Sequence, residues 1–119
     1  MKCCLLGIAA IIGALFLISC TANKGTFTLV NKSIEPIARA SVAICGQTIE
    51  LRAIQPDTSG TGSYEVKCEG HYSILVEFQS GKTLQKETGY VTPGMDFQHE
   101  IAVTSSDIEI TQQPTNSTQ

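Results

Sequence analysis

From Thr26 to Thr111 the chain repeats one pattern, with apolar side chains at every second position, many β-branched residues, and short Gly, Pro, Ser or Asn breaks between runs. Successive side chains of a strand point to opposite faces, so a period of two describes half-buried strands. No stretch there carries the longer period of an amphipathic helix. The first run is Thr26-Phe27-Thr28-Leu29-Val30, with Phe27 and Leu29 on one face, closed by Asn31-Lys32-Ser33. Ile34 to Cys45 is expected to be a long strand burying Ala38, Ala40, Val42 and Ile44, opposite Arg39 and Ser41. Pro36 lies near its start, where a missing amide donor does least harm. Gly46 turns the chain into Thr48 to Ile54, with Ile49, Leu51 and Ala53 inward and Glu50 and Arg52 outward.

Gln55 to Ser63 has no apolar residue beyond Pro56 and reads as the longest irregular stretch, excluded from the core. Within it Asp57, Thr58, Ser59, Gly60 and Thr61 form the candidate binding loop, against the plainer reading that they only connect strands. Tyr64 and Val66 then alternate with Glu65 and Lys67. Tyr72, Ile74, Val76 and Phe78 alternate with Ser73, Leu75, Glu77 and Gln79. These two runs are expected to pair as a hairpin, in which a three-residue loop Cys68-Glu69-Gly70 keeps inward residues together, setting Val66 opposite Tyr72 and Tyr64 opposite Ile74. Gly70 would then be left-handed. Glu65, Glu69 and Glu77 would share a solvated outer face.

Ser80-Gly81 leads into Lys82 to Thr92, where Leu84, Lys86 and Thr88 share a face too polar for a central strand. Its lysines mark an edge that resists pairing with other chains. Thr92-Pro93-Gly94-Met95 has Pro and Gly where a type II turn requires them. Met95, Phe97, His99, Ile101 and Val103 alternate with polar residues. After Ser105-Ser106 a last strand runs from Asp107 to Thr111, and the polar tail 112–119 is expected to be disordered. About eight short strands with one buried face each imply an all-β, two-sheet antiparallel β-sandwich over 26–111. Tyr72-Ser73-Ile74-Leu75-Val76 with its Gly turn, followed by Gly89-Tyr90-Val91-Thr92-Pro93-Gly94 and an alternating strand, resembles transthyretin-like or carboxypeptidase-regulatory sandwiches. An immunoglobulin-like arrangement is the alternative, although the chain has no Trp.

The N-terminus sets the expected address. Lys2 precedes an apolar run from Leu5 to Ile18, in the order charge, apolar stretch, small residues. The run of about fourteen residues covers ~21 Å of a hydrocarbon core about 30 Å thick, too little for a permanent span. Leu17-Ile18-Ser19-Cys20 resembles the lipobox of bacterial lipoprotein signal peptides. That resemblance implies cleavage of residues 1–19, a diacylglyceryl thioether on Cys20 and acylation of the freed amine, leaving 20–25 as a short tether. Two or three acyl chains, at ~0.8 kcal/mol per buried CH₂, anchor a domain stably. An ordinary secretory signal with a chance Cys is the alternative. Residue 21 is Thr rather than Asp, which by the same resemblance implies the periplasmic side of a Gram-negative outer membrane; in a Gram-positive organism the address is the cell membrane.

Loss of residues 1–19 leaves 100 of 119 residues, and loss of Lys2 moves the formal charge from −3 to −4. One domain fits that length. Without clustered Lys and Arg, nucleic acid is not an expected partner. Cys45 and Cys68 are the cysteines left besides Cys20, and in an exported chain such a pair reads as a disulfide. A metal site is the competing use, but there is no Cys-x-x-Cys and neither His71 nor His99 stands at ligand spacing. His99 has core parity and reads as a hydrogen-bonded interior imidazole. Met95 and His99 share a strand face as two soft ligands that lack a third. No nucleophile elbow, phosphate loop or catalytic carboxylate pair is present. The expectation is therefore a non-enzymatic module, without cofactor, that is anchored in the membrane and binds another envelope or secreted protein. A lipoprotein inhibitor of a hydrolase such as lysozyme, and a metal or small-ligand carrier, are the alternatives.

Overall fold

The computed structural model describes residues 23–113. The leader 1–19, the lipidation residue Cys20 and the tail 114–119 lie outside the described residues. Eight strands fill the described chain: β1 Asn23–Asn31, β2 Ile37–Ile44, β3 Gln47–Ile54, β4 Ser59–Val66, β5 Gly70–Phe78, β6 Thr83–Val91, β7 Phe97–Val103 and β8 Ile108–Gln112. They form two four-stranded sheets, ordered β4-β1-β7-β8 and β3-β2-β5-β6. The β-sandwich is as expected, with one parallel pair, β1 against β7, among otherwise antiparallel neighbours. In immunoglobulin domains the first two strands share a sheet. Here β1 and β2 lie in opposite sheets.

The buried faces follow the alternation closely. Phe27 and Leu29 from β1, Tyr64 and Val66 from β4, and Ile101 and Val103 from β7 meet Val42, Tyr72, Ile74, Val76 and Phe78 from the other sheet. Burying each such side chain is worth about 1.5–3 kcal/mol relative to exposure, and these residues form one continuous cluster. In β2 the parity slips: Ile37 is buried instead of Ala38, because the register against β5 shifts between Ile37 and Arg39. The same slip in β3 leaves Ala53 exposed at φ +56° and buries Ile54.

Two expectations fail. β4 and β5 do not form a hairpin: β4 pairs with β1, and β5 pairs with β2 and β6. Lys67 to Glu69 instead crosses between sheets, Gly70 opens β5 without positive φ, and Glu65 and Glu77 belong to different sheets. Alternation reports which face is buried and is silent about which strand lies alongside. The irregular stretch is also shorter than expected, since Ser59 to Ser63 pair with β1. Gly60 and Gly62 share the parity of Tyr64 and Val66. A Cβ on Gly62 would stand 2.5 Å from Phe27 Cζ, and one on Gly60 3.2 Å from Leu51 Cδ1. Neighbouring rings and branches fill the inward positions that these glycines leave empty.

The connections match the turn chemistry elsewhere. Cys45 and Gly46, at φ +53° and +75°, make the two-residue turn between β2 and β3. Gly94 has φ +107°, as the Pro-Gly turn requires, and β6 is the edge of its sheet. At the other end of the chain, Gln112 belongs to β8 and the Gln113 amide donates to Gln98 O at 2.7 Å. Order therefore extends past the expected tail boundary.

Candidate functional site

The starts of β1, β5 and β7 and the ends of β2, β4, β6 and β8 lie at one end of the sandwich, next to residue 23; the opposite termini lie at the far end. Each end is organised around buried polar groups, because strand ends bring backbone atoms and apolar core into the same space.

At the far end the hub is Asn31, fully buried at the close of β1. Its amide nitrogen donates to Glu35 O at 3.0 Å and Ile54 O at 2.9 Å; its oxygen accepts from the Ser33 amide at 2.9 Å and Ser33 Oγ at 2.7 Å. Backbone bonds extend the grip: the Asn31 amide donates to Thr58 O, the Asp57 amide to Asn31 O, and the Lys32 amide to Val103 O. The segment Lys32 to Pro36 is thereby fastened to three neighbouring parts of the chain. On this fastened segment Ile34 is 89% exposed. An isoleucine so exposed adds little to the core, and the bonds on either side of it hold its backbone in place. Asp57, exposed and at φ +65°, is joined to the same hub.

Of the candidate binding loop, Asp57 and Thr58 therefore stand in the far-end connection beside the Ile34 segment. Ser59, Gly60 and Thr61 lie in β4. Sequence reasoning treated Ile34 as the first residue of a strand. The signal that could have found it is Asn31-x-Ser33, an Asn able to cap its own following turn, ahead of Pro36.

At the near end a relay crosses the core. Tyr64 Oη and Tyr72 Oη are 2.5 Å apart, and Tyr72 Oη is 2.8 Å from His99 Nδ1. The rings meet edge to face, Tyr64 with Tyr72 at 5.6 Å and Tyr72 with His99 at 5.0 Å between centroids. Burial pushes both phenols upward and the imidazole downward, so all three groups are neutral near pH 7. His99 is the hydrogen-bonded interior histidine its parity implied. Cys45 and Cys68 stand beside this layer with sulfurs 2.17 Å apart and Cα atoms 5.5 Å apart, at disulfide distance.

Next to the relay, an open groove of about 430 Å³ is lined by Gly89, Tyr90, Met95, Phe97, His99 and Ile110, with Thr92 and Gln112. It lies between β6 and β8, the facing edges of the two sheets, which are also tied together further along. There Lys86 Nζ meets Asp107 Oδ1 at 3.2 Å and Lys82 Nζ donates to Ser105 O. Toward the near end the register of β6 against β5 shifts between Tyr72 and Gly70, a bulge with Gly89 at φ +81°. A Cβ there would stand 2.9 Å from Tyr72 Cδ2. The bulge turns Tyr90 outward, 51% exposed, beside Met95 at 48%. Met95 and His99 line the same groove, while His99 Nδ1 is occupied by Tyr72. Among the described residues no three of His, Cys, Asp and Glu gather as a metal site.

No family model and no curated protein matches the sequence. An NMR structure of a protein from Eubacterium rectale is similar in fold, with a TM-score of 0.56 over 76% of this chain and 88% of that chain. At 15% identity the likeness is one of fold.

The outer face of the β3-β2-β5-β6 sheet carries matched charges: Arg39 meets Glu77 at 3.2 Å and Glu50 at 3.6 Å, and Arg52 meets Glu50 at 3.0 Å. Such exposed pairs contribute ~0–1 kcal/mol each. They describe a solvated face, with Leu75 in its midst.

Proposed function

We propose that this chain is a lipid-anchored, non-enzymatic envelope module of the transthyretin-like class, held at the membrane through Cys20 and presenting its far end to another envelope or secreted protein. The observation that carries the reading is Ile34, 89% exposed on a segment fastened by the buried Asn31 hub. The placement of β1 and β2 in opposite sheets favours the transthyretin-like over the immunoglobulin-like arrangement. The lipobox-like Leu17-Ile18-Ser19-Cys20 supports the anchor, and residue 21 being Thr supports the outer membrane's periplasmic side.

A photo-crosslinking amino acid at position 34, in cells that make the full chain, should capture one envelope protein; the same group at position 75 should not. Ile34→Asp should abolish co-purification of that protein while leaving thermal unfolding unchanged. Equal capture from positions 34 and 75, or co-purification that survives Ile34→Asp, rejects the proposed face. Exposed Asp57 beside this segment, on a domain of negative net charge, favours a second reading as inhibitor of a basic hydrolase such as lysozyme. Unchanged lysozyme rates in the presence of the purified protein would remove it.

A further inference from the structure

We infer that the near end of the sandwich seats on the bilayer surface, with Tyr90 and Met95 entering the headgroup layer and the groove behind them facing lipid. The inference rests on the lipid-anchored reading and adds an orientation to it. Cys20 precedes Asn23 by three residues, so a sulfur at the glycerol level keeps the Asn23 Cα within ~14 Å of it, ~11 Å of backbone plus the cysteine side chain. Headgroups occupy about 5–7 Å of each leaflet, so the start of β1 stands at the membrane surface.

Asn23 is also fixed to the groove rim. Its side-chain amide donates to Asp96 Oδ1 at 3.1 Å, and the Lys24 amide donates to the same oxygen at 2.8 Å. Asp96 adjoins Met95, which with Tyr90 lines the groove. The tether therefore delivers to the bilayer the two exposed apolar side chains of this end, one of them a tyrosine, whose ring and hydroxyl suit an apolar-polar boundary. The charges nearby are mixed: Lys24 and Lys67 stand with Glu65, Glu69 and Asp96. Apolar contact rather than attraction to anionic lipid thus drives the seating. β1 spans about 27 Å, at ~3.4 Å per residue, and exposed Ile34 lies beyond its far end, turned to a partner. A domain lying on its β3-β2-β5-β6 sheet would instead press Arg39, Glu50 and Glu77 into lipid.

The chain contains no Trp, so a single introduced Trp is its only indole. Full-length acylated protein carrying Tyr90→Trp, Met95→Trp or Ile34→Trp would be reconstituted into phosphatidylcholine vesicles containing brominated acyl chains. The Trp at position 90 or 95 should lose most of its emission to bromine, with a blue shift, in low and high salt alike; the Trp at position 34 should keep its emission. Equal quenching at all three positions, or none at 90 and 95, overturns the orientation. A blue shift at 90 and 95 without quenching also overturns it, since the groove would then hold the protein's own unbrominated acyl chain. Mass spectrometry of the same samples separates the two failures: an unmodified thiol at residue 20 removes the anchor itself, whereas an acylated chain with unquenched Trp removes only the seating.

Discussion

The two ends of the sandwich solve the same problem with different chemistry. The far end uses one amide, Asn31, to satisfy three backbone groups from two segments, and every bond it makes is insensitive to pH near neutrality. The near end uses a phenol-phenol-imidazole relay and a cysteine pair, and leaves a groove beside them. A hub made of backbone partners immobilises the loop that carries it. A relay made of side chains leaves its surrounding loops free of that task, so the near-end turn from Thr92 to Asp96 is exposed and fastened mainly through Asp96. In the proposed orientation the fastened end would meet a partner and the apolar rim would meet lipid.

The comparison can be broken most forcefully at the cysteines. Cys45→Ala with Cys68→Ala frees a loop closed over a separation of 23 residues, and should cost ~3.4 kcal/mol in the chain-entropy model, read from urea unfolding. If the loss is below ~1 kcal/mol, the near end does not depend on the cross-link. Asn31→Ala comes next: it strands the Glu35 and Ile54 carbonyls in a buried site and should cost about 2–3 kcal/mol by the same measurement. It should also weaken partner capture, because Ile34 loses its fastening. Tyr72→Phe removes the shared hydroxyl of the relay and should cost about 1–2 kcal/mol, with no effect on capture through position 34.

A smaller effect distinguishes the ends by pH. The folded-state pKa of His99 lies below its usual 6.5 because burial disfavours the cation. Below pH 6.5 the unfolded chain therefore binds more protons, so this contribution is complete above 6.5 and is lost as pH falls toward the folded value. Unfolding free energy should decline through that window, and His99→Gln should remove the slope, whereas Asn31→Ala should preserve it. Smallest of all, Ile34→Ser should change stability by less than about 0.5 kcal/mol while removing the docking contact.

Much of the fold was legible in the alternation. Phe27, Leu29, Tyr72, Ile74, Val76, Phe78, Ile101 and Val103 all have the burial their parity implies. The Gly60 and Gly62 positions were not legible, because what fills them is Phe27, Ile49 and Leu51 from elsewhere in the chain. Asp57 and Thr58 were placed in a loop correctly, but Ile34, the most exposed large apolar side chain among the described residues, was hidden inside an expected strand. Its exposure follows from Asn31 turning inward to bond Ile54, a residue 23 positions away, which no local pattern encodes.

By itself the order of residues settled the strand-rich class, the buried face of most strands, the proximity-ready cysteine pair and the edge character of β6. Each depends on nearest neighbours along the chain, on the period of side-chain direction or on the backbone preferences of Gly and Pro. The tertiary structure alone decided that β4 and β5 part into different sheets, that β1 runs parallel to β7, and that β6 and β8 line a common groove. Those outcomes depend on which apolar faces can cover one another in three dimensions. Many pairings satisfy the same alternation, and only the packing of both sheets at once selects among them.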